Sequence, residues 1–122
     1  MKLSPDGRWL AFSQSTDNES MSIFLRDLKT GRTRRVERKS HGATMAFTPD
    51  SRTLVLSALR RTDNYHLTSE LLAYDIERDE LRQITHGWRA SDPDVSADGK
   101  QIVFVGTERG HEYLAAASLE RD

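Results

Sequence analysis

Chemistry in this chain would have to come from histidines, serines, carboxylates or a basic cluster, because its 122 residues include no cysteine. That removes disulfides, Cys-ligated zinc, iron–sulfur clusters and a thiolate nucleophile, without choosing a compartment. The 4 histidines are His41, His66, His86 and His111. None stands in a His-x-x-x-His or His-Glu-x-x-His arrangement, and zinc requires three or four converging ligands. They read as loop histidines, so no metal and no other cofactor is predicted. A serine nucleophile needs a strained elbow of the Gly-x-Ser-x-Gly type, a base and an oxyanion hole. That pentapeptide is absent, no catalytic residue is assigned, and the chain reads as a non-enzyme. Asp92-Pro93-Asp94 offers two carboxylates, too few for a cation without further ligands.

Arg32, Arg34, Arg35, Arg38 and Lys39 form the densest basic stretch. Glu37 interrupts it and the formal net charge is −1, so it reads as the solvated, charged margin of a sheet and no nucleic-acid partner is predicted. Trp9 and Trp88 read as packing anchors. Asn18-Glu19-Ser20 fits a glycosylation sequon that matters only in a secreted eukaryotic chain. No apolar run approaches the roughly 20 residues of a membrane helix, so no membrane span is predicted. These residues contain no secretory signal, and the compartment is left open.

The elements that must position these residues come from a repeat. Ser4-Pro5-Asp6-Gly7-Arg8-Trp9-Leu10-Ala11-Phe12 recurs as Thr48-Pro49-Asp50-Ser51-Arg52-Thr53-Leu54-Val55-Leu56 and as Ser96-Ala97-Asp98-Gly99-Lys100-Gln101-Ile102-Val103-Phe104, at offsets of 44 (4 to 48) and 48 (48 to 96). A second register agrees: Ile23 to Leu28, Leu71 to Ile76 and Tyr113 to Leu119 occupy equivalent places. Periods of about 40 to 50 residues mark stacked units. Within each unit a Pro-Asp-Gly type turn separates an apolar residue (Leu3, Phe47, Val95) from a short apolar, β-branched run, which is the pattern of a hairpin. A third strand, a second tight turn and a fourth strand ending near Val36 or Ile84 follow. Asp6, Asp50 and Asp98, with Asp27 and Asp75 at strand ends, recur in register and read as turn hydrogen-bonding groups. Ser51 stands where the other units have glycine, with an expected strain of about 1 kcal/mol if it keeps a positive φ. Leu114-Ala115-Ala116-Ala117 favours helix by propensity, but its place in the repeat predicts strand.

Four-stranded antiparallel units of this period, arranged radially, make a β-propeller. The predicted fold is therefore all-β: a partial β-propeller of about three four-stranded antiparallel blades in an incomplete ring. The blades are predicted at 1–42 (lacking its N-terminal part), 43–90 and 91–122 (lacking its last strand). Fewer than three full blades cannot close a ring, and unpaired edges recruit further strands. Self-association or missing further blades is expected.

Ser-Pro-Asp-Gly-Arg-x-Leu-Ala-Phe followed by x-Asp-Leu-x-Thr-Gly resembles the propeller repeat of TolB-type proteins, which is also found in the propeller domain of prolyl-oligopeptidase-like serine peptidases. The resemblance covers nearly the whole chain. It implies a bacterial, non-catalytic protein- or peptide-interaction scaffold, periplasmic if TolB-like. The alternative it implies is the gating propeller portion of an S9-type serine peptidase whose catalytic domain is not in this chain.

One face of such a scaffold has stereotyped turns, and the other carries divergent loops: Gln14 to Ser20, Ala58 to Ser69 and Thr107 to His111, with Trp88, Arg89 and Asp92. Variable loops on a repeated scaffold are where binding resides. The candidate partner-binding residues are Arg60, Arg61, Tyr65, His66, Trp88 and Arg89.

Overall fold

A computed structural model describes residues 1–16, 20–40, 44–61 and 67–119. Three antiparallel sheets follow one another along the chain. Blade one holds β1 (Lys2–Leu3), β2 (Trp9–Thr16), β3 (Ser20–Asp27) and β4 (Thr33–Ser40). Blade two holds β5 (Met45–Phe47), β6 (Thr53–Arg61), β7 (Leu67–Asp75) and β8 (Glu80–Gln83). Blade three holds β9 (Ser91–Val95), β10 (Gln101–Glu108) and β11 (His111–Ser118). In each sheet the strands lie in chain order, the described residues contain no helix, and no sheet closes on itself. The fold is all-β and consistent with a partial propeller. The alanine run Ala115 to Ala117 is strand, paired with Ile102 to Phe104, so sheet pairing overrides helix propensity there. β4 runs four residues past the Val36 boundary read from the sequence.

The repeated turn is built the same way three times. Ser4 Oγ donates to Asp6 Oδ1 at 2.5 Å, and the same oxygen accepts the Arg8 amide at 3.0 Å. Thr48, Asp50 and Arg52 repeat these bonds at 2.6 and 3.0 Å, and Ser96, Asp98 and Lys100 at 2.5 and 3.0 Å. The hydroxyl bond, followed by the backbone bond, holds Asp6 and Asp98 below the ordinary carboxylate range. Each turn ends on a left-handed residue: Gly7 at φ 75°, Ser51 at 61° and Gly99 at 74°.

Ser51 is buried, and its Oγ accepts the Asp6 amide of blade one at 3.1 Å. The strain of a left-handed serine, about 1 kcal/mol, is thus offset by a bond between blades worth about the same. Ser51→Ala keeps the strain and loses the bond, an expected loss of about 1 kcal/mol in a urea melt. Ser51→Gly loses both and should lie within about 0.5 kcal/mol of the parent. Equal destabilisation in the two variants would contradict this balance.

Two apolar layers join the blades. Trp9, Ala11, Ile23 and Leu25 of blade one pack on Met45, Leu54, Leu56, Leu72 and Tyr74 of blade two. The opposite face of blade two, Val55, Leu71 and Ala73, packs on Ile102 and Phe104 of blade three. Because side chains alternate along a strand, the middle blade is buried on both faces, which is why β6 reads as an unbroken apolar run from Leu54 to Val55 and Leu56.

Polar side chains lace the first junction. Arg34 Nη1 donates to Tyr74 Oη at 3.0 Å and to the Ile76 carbonyl at 3.3 Å, and the guanidinium groups of Arg8 and Arg34 lie 4.8 and 5.3 Å from the Trp9 ring centroid. Arg34 is therefore a half-buried link between blades and not a member of a solvated charged margin. Arg8 also pairs with Asp27 at 3.1 Å, and that hydrogen bond brings the Asp27 carboxyl down to about 2.

Candidate functional site

The second junction is organised by a carboxylate. Glu70 lies in the middle of β7 and is 0% exposed. Its oxygens accept four bonds: Thr68 Oγ1 and Thr85 Oγ1 at 2.6 Å each, the Gly87 amide at 2.8 Å and the Trp88 amide at 3.1 Å. Burial pushes this carboxyl up, but the two hydroxyl and two amide donors together outweigh burial and leave it below its ordinary value. A buried anion that receives four donors is satisfied without a cation. Its effect is mechanical: the connection from β8 to β9 is bonded to the core from beneath. Ala90 continues the attachment: its amide donates to the Ser69 carbonyl at 2.7 Å, and the Ser69 hydroxyl donates to the Ala90 carbonyl at 2.8 Å.

On this anchored backbone Trp88 is 43% exposed. Its ring meets Phe104 edge-on with centroids 5.8 Å apart, and Tyr113 at 6.4 Å. His86, Gly87, Trp88, Thr107, Glu108 and Tyr113 line an open cleft of about 390 Å³. Gly87 and Arg89 take positive φ, 76° and 49°, so the chain turns sharply on either side of the tryptophan. The cleft thus offers two aromatic surfaces, hydroxyl and imidazole groups and one carboxylate on a fixed frame. That set can stack on and hydrogen-bond to an extended segment.

Gly106 makes room for Tyr113. A β-carbon at Gly106 would lie 2.6 Å from Tyr113 Oη, closer than real contacts allow. Gly106→Ala is expected to leave the chain folded, with a loss of about 1–2 kcal/mol, and to swing the Tyr113 ring away from Trp88. Near-UV circular dichroism should change while the far-UV spectrum holds. An unaltered near-UV spectrum would contradict the ring packing.

The residues singled out from the sequence separate between the two junctions. Trp88 is in the cleft wall and Arg89 is exposed beside it. Arg60 belongs to the first junction, where Nη2 pairs with Glu37 of blade one at 2.6 Å and Nη1 donates to the Leu59 carbonyl at 2.9 Å. Arg61 ends β6, opposite Leu67. Tyr65 and His66 lie outside the described residues, as do His41, Asn18 and Glu19. Asp92 and Asp94 are exposed on β9, and among the described residues no three His, Asp or Glu side chains are grouped to hold a metal ion. Glu70 and Tyr113 were missed by sequence reasoning. The available signal was positional: Ser22, Glu70 and Tyr113 occupy the same place in the three blades, opposite Gln14, Ala58 and Gly106, and differ completely.

Among solved structures, a TolB-like protein from Agrobacterium tumefaciens is similar with a TM-score of 0.76 and 21% identity, over 98% of this chain and 45% of that one. The chain has the fold of TolB-type propeller blades. Propeller similarity extends to prolyl endopeptidases, at a TM-score of 0.74 and 17% identity over 98% of this chain and 20% of that one. It extends as well to the β-propeller domain of the Trilobed protease from Pyrococcus furiosus, at 0.67 and 17% over 84% of this chain and 32% of that one. These propeller blades span less than half the length of each of the three. No family model and no curated protein matches the chain. At such identities the likeness establishes architecture, and function has to be argued from the site.

Proposed function

We propose that these blades form a non-catalytic scaffold that binds a protein or peptide, with the Trp88 cleft as its principal contact. The observation that carries the reading is an exposed tryptophan held on backbone that a buried carboxylate anchors. Aromatic anchors on a rigid frame dominate recognition energetics, because little conformational freedom is lost on binding. Arg89, exposed beside the cleft, widens the contact in this reading.

Panning a displayed peptide library on the folded chain tests it. Selected peptides should shift the amide and indole resonances of Trp88, Thr107, Glu108 and Tyr113, and Trp88→Ala should weaken them by at least about tenfold. Peptides that bind equally well without Trp88, or that are hydrolysed by the chain, would contradict the proposal. The likeness to prolyl endopeptidases favours a second reading, a gating propeller of a serine peptidase. An α/β-hydrolase region with a serine elbow encoded next to these blades would support that reading over the scaffold.

A further inference from the structure

We propose that the Trp88 cleft takes an arginine side chain of the bound segment, with the guanidinium against the Trp88 and Tyr113 rings and paired with the Glu108 carboxylate. The inference rests on the reading of the cleft as a peptide-binding site and names the side chain that the site selects. Trp88 comes from the β8–β9 connection, and Glu108 and Tyr113 come from the β10–β11 hairpin. All three meet at the junction of blades two and three. Alternation along β10 puts Glu108 on the face shared by Phe104 and Gly106, which is turned toward blade two. Tyr113 lies opposite Gly106 on that face, and its ring centroid is 6.4 Å from that of Trp88, with the two planes tilted by 52°. A cation between two tilted rings is drawn to the negative faces of both, and a carboxylate in the same lining adds a full charge.

These groups are available to a ligand. Glu108 is exposed, and among the described residues its carboxylate takes part in no hydrogen bond or ion pair. The chain stacks Arg8, Arg34 and Arg35 on the Trp9 and Phe24 rings of blade one, whereas no cation among the described residues stands over Trp88 or Tyr113. Arg89 and Arg109, the cations nearest in the chain, are exposed and do not line the cleft.

The openness of the cleft favours arginine over lysine. A guanidinium is planar and weakly hydrated, stacks on aromatic faces and presents a fork of donors to a carboxylate. An ammonium would surrender a tightly held hydration shell for the same contacts, with water still at hand to compete.

Titration of the whole chain with a capped pentapeptide carrying one arginine between glycines tests the assignment, read from the Trp88 indole and the Thr107 and Tyr113 amide resonances. The comparison peptides carry lysine, or citrulline, which keeps the shape of arginine without its charge. At about pH 8, where an ordinary imidazole is uncharged, the arginine peptide should bind at least about threefold more tightly than either. Glu108→Gln, a change at an exposed position, should reduce the preference for arginine over citrulline to less than about twofold, and Trp88→Leu should weaken the arginine peptide at least about threefold. Citrulline or lysine binding as tightly as arginine would overturn the proposal, as would an undiminished preference in folded Glu108→Gln. Library peptides that contact Trp88 and carry no arginine would overturn this assignment alone and leave the scaffold reading standing. Absence of any peptide bound at Trp88 would overturn both.

Discussion

Glu70→Ala is expected to lower the free energy of unfolding by about 3–5 kcal/mol, read from urea melts. The change strips four donors of their acceptor and leaves a cavity inside β7. Each buried donor without a partner costs about 1–3 kcal/mol, an amount reduced where water enters the space. Glu70→Gln keeps the volume and one acceptor oxygen but turns an amide nitrogen toward groups that donate, so about 1–3 kcal/mol is expected. Trp88 emission should shift to the red in Glu70→Ala, because the hydrogen bond that the Trp88 amide donates to the carboxylate is lost. A loss below about 0.5 kcal/mol in Glu70→Ala, the range of an ordinary surface change, would mean that the carboxylate does not anchor the connection.

The same carboxylate contributes to the pH dependence, and its sign is fixed by the direction of its shift. Glu70, Asp27, Asp6, Asp50 and Asp98 all lie below their ordinary values in the folded chain. Each therefore stabilises the fold above its unfolded value and ceases to do so as the pH falls through its folded value. Stability should be level down to about the ordinary glutamate value of 4.5 and then decline toward the Asp27 value of about 2. Urea midpoints across this range check it, and stability rising on acidification would contradict it.

Phe104→Ala is expected to cost about 3–5 kcal/mol, through lost burial and an unfilled cavity. Phe104 is 2% exposed, lies in the layer with Val55, Leu71, Ala73 and Ile102, and supports the Trp88 ring edge-on. Its neighbour Val103 points to the other face and is 53% exposed, so Val103→Ala should stay within about 0.5 kcal/mol of the parent. Equal effects from the two changes would contradict the alternation on which the blade register rests. Because Phe104 also supports the cleft, Phe104→Ala should weaken peptide binding even where the chain is still folded.

How much of this was legible in the sequence depends on the range of each interaction. The turns were legible because Ser4, Asp6 and Gly7 act within a few residues of one another, and their chemistry recurs at Thr48-Asp50 and Ser96-Asp98. The strand at Ala115 to Ala117 was legible only through the repeat, since local propensity pointed to helix. Glu70 was not legible. Its partners Thr85, Gly87 and Trp88 are brought to it by the return of the chain after β8, and a single acidic residue in an apolar strand has no spacing signature. Arg34 and Arg60 escaped for the same reason, because each takes its meaning from a neighbouring blade. The strained left-handed Ser51 was foreseen, whereas the acceptor role that offsets its strain was not.

Native-state hydrogen exchange at the Gly87 and Trp88 amides tests most directly whether the exposed tryptophan stands on anchored backbone. Both residues are exposed, yet both amides should exchange as slowly as the core amides of β7, and should lose that protection in Glu70→Ala. Exchange at the rate of an unstructured peptide in the parent chain would contradict the account.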